Sequence, residues 1–331
     1  MTDRLPPFIR AVAFAVLAAA SVVALAVVPE RWTPKPGEYV WQPAVAPSGP
    51  LVIVVNLPLQ QLHVYRNGVR IGASSISSGK PGHETPVGLF TILQKEAEHY
   101  SNLYDNAPMP WMQRLTWDGV ALHAGRLPGH PASHGCIRLP DAFAKALFAT
   151  TRAGDVVIVT DQASQPGIAA STGLLRALGK GSGLPSEGDY WLPAQAPDGP
   201  VSVVVSTADR RLVVTRAGRR IGQAAVIVAP GLSIGTHAYV LLEGQGEGRN
   251  PVLPERPARR WMAIDMMNAG GDEHVVRAAI EDGRLTVPKG VAMEIDTLLR
   301  PGATVVLTDE PIGDEIQRQQ IDVETVVPPA S

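Results

Sequence analysis

Cys136 is the only cysteine in a chain of 331 residues, and it lies in the sequence SHGCIR between His134 and Arg138. A thiol is mostly protonated at neutral pH, so a catalytic cysteine needs a base within reach or a positive charge that stabilises its thiolate. His123 and His134 are the candidate bases, and Arg138 is the nearby cation. These residue types predict a nucleophilic thiol, whereas an intermolecular disulfide or an inert buried thiol are the alternatives for a lone cysteine.

His123 is the preferred general base. It ends the predicted strand GVALH, from which it can approach the thiol from a neighbouring strand, whereas His134 projects the same way as Cys136 if their segment is extended. The intervening AGRLPGHPAS contains two glycines and two prolines, which predicts a loop that returns the chain over the strand end. Gly135 permits a tight turn whose successive N–H groups would form an oxyanion hole.

The remaining composition excludes other chemistry. The chain has 29 basic and 31 acidic residues and a formal charge of -2, so nothing indicates nucleic-acid binding. The sequence has neither Cys-x-x-Cys nor His-Glu-x-x-His, so no metal site or other cofactor is predicted. Five other histidines lack the neighbours of a catalytic group and are expected to be exposed or structural: His63, His99, His130, His237 and His274.

The elements that must position these residues are mostly strands. Residues 51–77 predict three strands with a two-residue hairpin at Asn67-Gly68, and GLFTILQ, GVALH and DVVIVTD predict further short strands. Residues 141–150 give the one convincing helix, with apolar side chains at helical spacing. The sequence therefore predicts a mainly β fold with few helices.

This pattern occurs twice. Residues 41–72 align without gaps with residues 191–222, with sixteen identities in thirty-two positions, and residues 134–161 align with 282–309 with eight in twenty-eight. The chain is therefore predicted to be a tandem duplication of a whole domain. The second copy lacks the chemistry, since it has Asp265, Asp282, Arg284 and Thr286 where the first has His123, His134, Cys136 and Arg138.

Residues 11–28 are uninterrupted apolar or small residues preceded by Arg4 and Arg10. As a helix they would span about 27 Å, enough for a bilayer core, and the basic flank favours export of the rest of the chain. The segment predicts an anchor in the cytoplasmic membrane, with a cleaved signal peptide as the alternative. The working part of the protein is expected in the periplasm or cell envelope.

The predicted organisation has six parts. Residues 1–28 are the cytoplasmic stub and anchor or signal segment, 29–50 a Pro-rich linker, 51–161 the first domain, 162–198 a flexible Gly/Ser/Pro-rich linker with a short helix at 172–178, 199–310 the second copy, and 311–331 a tail. Residues 100–117 are rich in aromatic and Met side chains, which indicates either a lid over the site or core beneath a long loop. The candidate lid residues are Tyr104, Met109 and Trp111.

The motif SHGCIRL, the histidine that ends the preceding strand, and the segment TPVGLF at residues 85–90 resemble the catalytic domain of YkuD-type L,D-transpeptidases. The resemblance covers residues 51–161 and implies a mixed β-sandwich-like fold. It implies an acyltransferase in which the cysteine forms a thioester with a peptidoglycan stem tetrapeptide and releases its terminal D-alanine. An amine of a second stem then takes the acyl group, which makes 3→3 cross-links or exchanges the terminal D-amino acid.

The resemblance also implies roles for individual residues. Cys136 matches the nucleophile and His123 the catalytic histidine, whose partner in the family is a backbone carbonyl. Ser133, His134 and Gly135 match residues that line the site, and Arg138 would orient a substrate carboxylate or carbonyl. Only nine residues separate His123 from Ser133, a shorter loop than is usual in the family, which affects the expected acceptor specificity.

Two other functions remain open at this point. The same acyl-enzyme could pass to water or to a protein amine, which would make an L,D-carboxypeptidase, an endopeptidase or an enzyme that attaches a protein to the wall. A non-catalytic wall-binding scaffold is the other alternative. It is the expectation for residues 199–310, whose ligand the sequence does not identify.

Overall fold

The computed structural model describes residues 32–101, 106–163, 166–169, 188–250, 253, 255–267 and 273–312. The chain divides into two compact units, Met1–Trp32 and Thr33–Ser331, and the elements below belong to the second. They form an N-terminal half, residues 39–160, and a C-terminal half, residues 167–308. Both halves are mainly β, as predicted from the sequence.

The described residues of the N-terminal half form ten strands and one α-helix. They are β1 Tyr39–Trp41, β2 Leu51–Asn56, β3 Gln61–Arg66, β4 Val69–Ser75, β5 Gly88–Thr91, β6 Gln94–Glu96, β7 Met112–Arg114, β8 Ala121–Ala124, β9 Ile137–Leu139, α1 Asp141–Thr150 and β10 Val156–Thr160.

Six of these strands form one sheet in the order β1-β4-β3-β2-β10-β5. Neighbours are antiparallel except β2 and β10, which are parallel with Val54 opposite Ile158. The β3–β4 hairpin turns at Asn67 (φ 49°) and Gly68 (φ 79°), and two positive φ angles are what a type I′ turn requires. The predicted Asn-Gly hairpin is confirmed.

The predicted helix is confirmed as α1, with the same bounds, Asp141–Thr150. Its buried side chains Phe143 and Leu147 lie at i and i+4, so they share one face and pack on the inner face of the six-stranded sheet. Alternate residues of β2, Ile53 and Val55, supply that inner face.

The other four strands form a second sheet in the order β6-β7-β8-β9. Strands β8 and β9 are parallel, and Leu122 on β8 lies opposite Ile137 on β9. Both side chains are fully buried in the same core as α1. The two strands that carry the predicted site are therefore fixed against the main core of this half.

The described residues of the C-terminal half add ten strands and two α-helices. They are β11 Gly167–Ala169, β12 Tyr190–Trp191, β13 Val201–Ser206, β14 Arg211–Arg216, β15 Arg219–Ala225, β16 Ile227–Val228, β17 His237–Arg249, β18 Pro257–Asp265, α2 Glu273–Glu281, β19 Leu285–Thr286, α3 Lys289–Leu298 and β20 Thr304–Thr308.

The strand order of this half repeats that of the first. Its eight-stranded sheet contains the run β12-β15-β14-β13-β20-β17, which matches β1-β4-β3-β2-β10-β5 position for position, and β13 and β20 are again the parallel pair. The pairing of Ile227 with Thr286 matches the bridge between Ser77 and Arg138. The two halves differ beyond this run. In the N-terminal half β5 is the last strand of its sheet, whereas in the C-terminal half β17 pairs with both β20 and β18, so the sheet continues to β18.

The two halves also share a close contact between a tryptophan and a glycine. A Cβ built on Gly72 would lie 2.5 Å from Trp41 Cε3, and one on Gly222 would lie 2.3 Å from Trp191 Cε3. Trp41 also packs edge-on against Phe143, with ring centroids 5.5 Å apart. Because of these contacts, Tyr39–Trp41 forms an edge strand of the sheet, although residues 29–50 were predicted to be a linker.

The second predicted linker, residues 162–198, likewise contributes two strands. Gly167–Ala169 pairs with β18 at the edge of the C-terminal sheet, and Tyr190–Trp191 pairs with β15. The short helix predicted at residues 172–178 lies outside the described residues, as do the apolar segment at residues 11–28 and residues 313–331 of the tail. Among the residues that the structure describes, no helix has the length and apolar character needed to cross a membrane.

The halves meet through an apolar interface between their sheets. The N-terminal half contributes Val52, Val54, Tyr65, Val156 and Ile158, and the C-terminal half contributes Ala238, Val240, Leu242, Met262, Ile264 and Met266. At the edge of the interface Thr160 Oγ1 donates to the carbonyl of Asp265 at 2.8 Å. Strands β2 and β10 are therefore buried on both faces, which explains why their sequences are continuously apolar.

Candidate active site

The parallel pairing of β8 and β9 places His123 directly opposite Arg138. Residues opposite each other in a sheet project to the same face, so the imidazole and the guanidinium share one side of the sheet. Cys136 immediately precedes β9. As predicted, the loop after β8 carries the cysteine back beside the strand that holds the histidine.

His123 is 7% exposed, and its Nδ1 lies 2.8 Å from the carbonyl oxygen of Ala124. A carbonyl can only accept, so Nδ1 carries the hydrogen and Nε2 has the lone pair that a base needs. Burial is the main cause that lowers the pKa of His123 to about 4; the hydrogen bond to Ala124 opposes the shift, and the charges of Arg138 and His99 contribute to it. The imidazole is therefore neutral at pH 7.

The thiol of Cys136 is half-buried and donates to the carbonyl oxygen of Gly119 at 3.4 Å. Burial raises its pKa above the usual value, while a hydrogen bond to the backbone of Ala121 and the charges of Arg138 and Arg114 lower that pKa in part. The resting group is a thiol rather than a thiolate. It can become a nucleophile only by giving its proton to a base.

The turn before Cys136 is held by Ser133, which is 1% exposed. Its Oγ donates to the carbonyl of Cys136 at 2.5 Å and accepts from the N–H of Gly135 at 3.2 Å. Gly135 has φ +106°, a conformation that favours glycine, as the sequence predicted. Because the Gly135 N–H is bonded to Ser133, it does not point at a substrate.

His134 is exposed while Cys136 is half-buried, because the chain bends at residues 134–135. The segment from His134 to Cys136 is therefore not extended, and the tight turn expected at Gly135 is present. The imidazole of His134 packs edge-on against His83, with ring centroids 4.7 Å apart. Partial desolvation and the positive charges of Lys80, His83 and Arg138 hold the pKa of His134 below its usual value.

Thr85 also supports this turn, although the sequence analysis assigned it no role. It is 4% exposed; its Oγ1 donates to the carbonyl of Gly135 at 2.8 Å and accepts from the N–H of Gly79 at 2.9 Å. It thereby joins the loop between β4 and β5 to the residue before the cysteine. The sequence pointed to this region only through the segment TPVGLF, which begins at Thr85 and contributed to the family resemblance, but it did not indicate what the threonine contacts.

His123 and Cys136 open into one cavity of about 840 Å³. Ser133, His134 and Arg138 also line it, whereas Gly135, which was predicted to line the site, is absent from the lining. Of the predicted lid residues, Met109 lines the cavity, whereas Trp111 packs against Phe148 of α1 with ring centroids 5.7 Å apart and is absent from the lining. Tyr104 lies outside the described residues.

The matched positions of the C-terminal half form a different arrangement. Asp265, at the position of His123, accepts a hydrogen bond from Nδ1 of the buried His237 at 2.9 Å. The other nitrogen of His237 lies 2.7 Å from the carbonyl of Ile234. Asp282 and Arg284 are 3.9 Å apart as an exposed pair. No thiol is present, because Cys136 is the only cysteine of the chain.

Several L,D-transpeptidase structures are similar to part of this chain. Those from Mycobacterium smegmatis, Stackebrandtia nassauensis and Mycobacterium tuberculosis H37Rv are 26%, 30% and 26% identical. Each match covers 34% of this chain and 59%, 56% and 58% of the other chain, with TM-scores of 0.33, 0.31 and 0.33. The chain thus spans less than two thirds of the length of these proteins.

A comparison with curated proteins finds no match. The family profile of the YkuD L,D-transpeptidase catalytic domain matches residues 50–159, which include every element of the site. Residues 50–159 are therefore similar to the YkuD family of L,D-transpeptidase catalytic domains.

Proposed function

We propose that this protein is an exported, cysteine-dependent L,D-transpeptidase that acts on peptidoglycan stem peptides. The observation that carries the proposal is the convergence of Cys136 and His123 in one cavity, with the histidine tautomer set by the Ala124 carbonyl. The family match over residues 50–159 supports the substrate class.

In the first half-reaction, Nε2 of His123 takes the proton of the Cys136 thiol, and the sulfur attacks the carbonyl carbon of the donor stem. The tetrahedral intermediate then collapses as the C–N bond breaks. His123 returns the proton to the departing amine of the terminal D-amino acid, and a thioester remains. A neutral histidine suits this step because it can accept a proton at the start. It needs no carboxylate beside it, since the Ala124 carbonyl already orients the ring.

Two neighbours support the reacting carbonyl in this mechanism. Since the Gly135 N–H is bonded to Ser133, we assign the oxyanion contact to the backbone N–H of Cys136 itself. The guanidinium of Arg138, opposite His123 on β9, would orient a substrate carboxylate or carbonyl through paired N–H groups.

For residues 199–310 we propose a degenerate, non-catalytic copy of the same domain. The repeated strand order, the repeated contact between tryptophan and glycine, and the replacement of the cysteine by Arg284 support it. For residues 11–28 we propose a membrane anchor that places both halves in the cell envelope. Its support is the apolar sequence and its basic flank.

The experiment incubates the purified protein with a defined stem tetrapeptide and analyses the products by mass spectrometry. A cross-linked dimer, with free D-alanine, is the expected product. If only a shortened monomer forms, water is the acceptor and the protein is a carboxypeptidase. If Cys136→Ala turns over the tetrapeptide as fast as the unaltered protein, the proposed chemistry is wrong.

A further inference from the structure

A chain of hydrogen bonds crosses the β6–β7 strand pair and ends at His99. Arg114 Nε donates to Gln94 Oε1 at 2.9 Å, Gln94 Nε2 donates to Glu96 Oε1 at 2.5 Å, and Glu96 Oε2 lies 2.5 Å from His99 Nδ1. Gln94 and Arg114 are opposite each other in the strand register, which holds the start of this chain in place. Arg114 and His99 line the cavity of the site described above, but no residue of this network has been given a role in the reaction. The sequence indicated an exposed or structural role for His99.

This network determines which nitrogen of His99 is basic. The ionised carboxylate of Glu96 can only accept, so Nδ1 of His99 is the donor and Nε2 carries the lone pair. Glu96 cannot turn away, because its second oxygen is held by Gln94, whose own amide is oriented by Arg114. A histidine oriented by a carboxylate in this way is arranged to receive a proton at Nε2.

His99 lines the same cavity as His123 and Cys136. Its side chain is 18% exposed, so it can meet a bound substrate while remaining fixed by Glu96. When His99 is protonated, its charge lowers the pKa of His123, which indicates that the two imidazoles are close enough to interact electrostatically. The other charged or titratable groups that line this cavity are Arg114, Arg126, His134, Cys136, Arg138 and Asp141.

Acyl transfer to an amine needs a second proton acceptor. A primary amine is an ammonium ion at neutral pH, and it must lose two protons to become an amide. The nucleophilic nitrogen gives one of them to the Cys136 sulfur through His123, since the thiol is restored when the thioester breaks. The other must leave before the nitrogen can attack, and a base other than His123 is needed for it, because His123 has to be unprotonated to carry the remaining proton to the sulfur.

We propose that His99, oriented by Glu96, is the general base that deprotonates the acceptor ammonium in the second half-reaction. This inference rests on the proposed function. Nε2 of His99 takes the first proton, and the neutral amine attacks the thioester carbonyl. The C–S bond breaks, and His123 carries the second proton from the nitrogen to the sulfur. The products are the amide, the Cys136 thiol and a protonated His99, which loses its proton to solvent. Glu96, Gln94 and Arg114 act as positioning residues.

The test compares His99→Gln with Glu98→Gln, an exposed carboxylate variant in the same segment. Each variant is first acylated with the tetrapeptide donor, and thioester formation is followed by intact mass. The acyl-enzyme then reacts with one of two acceptors: an alkyl primary amine, which is an ammonium ion at pH 7, or hydroxylamine, which is already neutral.

We expect His99→Gln to acylate as the unaltered protein does and to transfer to the alkylamine roughly 100-fold more slowly, the usual contribution of a general base. Its transfer to hydroxylamine should be unchanged, and raising the pH should restore transfer to the alkylamine as the free amine forms. Glu96→Gln should show a smaller defect of the same kind, and Glu98→Gln should show none.

Equal rates for both acceptors in His99→Gln and the unaltered protein would overturn the inference. An equal loss for both acceptors would also overturn it, because a merely structural role would affect acylation and hydroxylamine transfer as well. The proposed function fails separately: in that case the unaltered protein forms no thioester, or Cys136→Ala forms as much product.

Discussion

Thr85→Val removes one hydroxyl group and keeps the shape of the side chain. The hydroxyl of Thr85 bonds the Gly135 carbonyl at 2.8 Å and the Gly79 N–H at 2.9 Å, and the side chain is 4% exposed. The substitution leaves both backbone groups without this partner in a place that water reaches poorly. Each orphaned group costs about 1–3 kcal/mol, so with two such groups the free energy of unfolding should fall by about 2–6 kcal/mol.

The loss should appear as a decrease in Tm of roughly 10 °C, since about 1 kcal/mol shifts the Tm of a unit of this size by a few degrees. Because Gly135 directly precedes Cys136, alkylation of the thiol by iodoacetamide should also change in rate. Thr150→Val is the matched control: Thr150 Oγ1 donates within the helix to Ala146 at 2.9 Å, so its loss should leave the thiol unaffected. If the two variants had the same Tm and the same alkylation rate, Thr85 would not hold the turn.

Three further predictions concern the pH dependence and the packing of the fold. Burial lowers the pKa of both His63 and His123 to about 4. As the pH falls from about 6.5 to 4, these histidines become protonated in the unfolded chain but stay neutral in the folded protein. Each histidine therefore lowers the free energy of unfolding by about 3 kcal/mol over this range, and it has no such effect above pH 7. Urea unfolding of His63→Leu should show roughly half of the pH slope, and an unchanged slope would contradict the assignment. Ile264→Ala should lower the free energy of unfolding by about 2–4 kcal/mol and speed hydrogen exchange in β2 and β10 of the other half; an effect confined to the C-terminal half would show that the halves are independent. Gly79→Ala should destabilise the β4–β5 loop, because its Cβ would lie 2.1 Å from the carbonyl oxygen of His83, and a Tm equal to that of the unaltered protein would refute this.

Local sequence determined much of what was predicted correctly. The hairpin at Asn67-Gly68 and the helix Asp141–Thr150 depend on turn chemistry and on the spacing of apolar residues, and both can be read within a few residues. The convergence of His123 with Cys136 could be predicted because a short loop with glycines and prolines joins two strands. The tight turn at Gly135 was also predicted, since glycine readily adopts the positive φ found there.

Contacts between distant segments could not be read in this way. Trp41 forms an edge strand because Gly72, far along the chain, leaves space for its ring, so the Pro-rich composition gave the wrong expectation for residues 39–41. Trp111 was a candidate for the lid by composition, yet it packs on Phe148. The network that ends at His99 depends on the register of β6 and β7, which the sequence does not show.

The central claim is that Cys136 carries the acyl group during transfer. The most direct measurement is to mix the protein with a stem tetrapeptide that bears an isotopic label on its acyl part, quench in acid, and map the label by peptide mass spectrometry. The account predicts a labelled thioester on Cys136 that disappears when an acceptor amine is added and never forms in Cys136→Ser under the same conditions. Product release by the unaltered protein with no label on Cys136, or with a label on another residue, would contradict it.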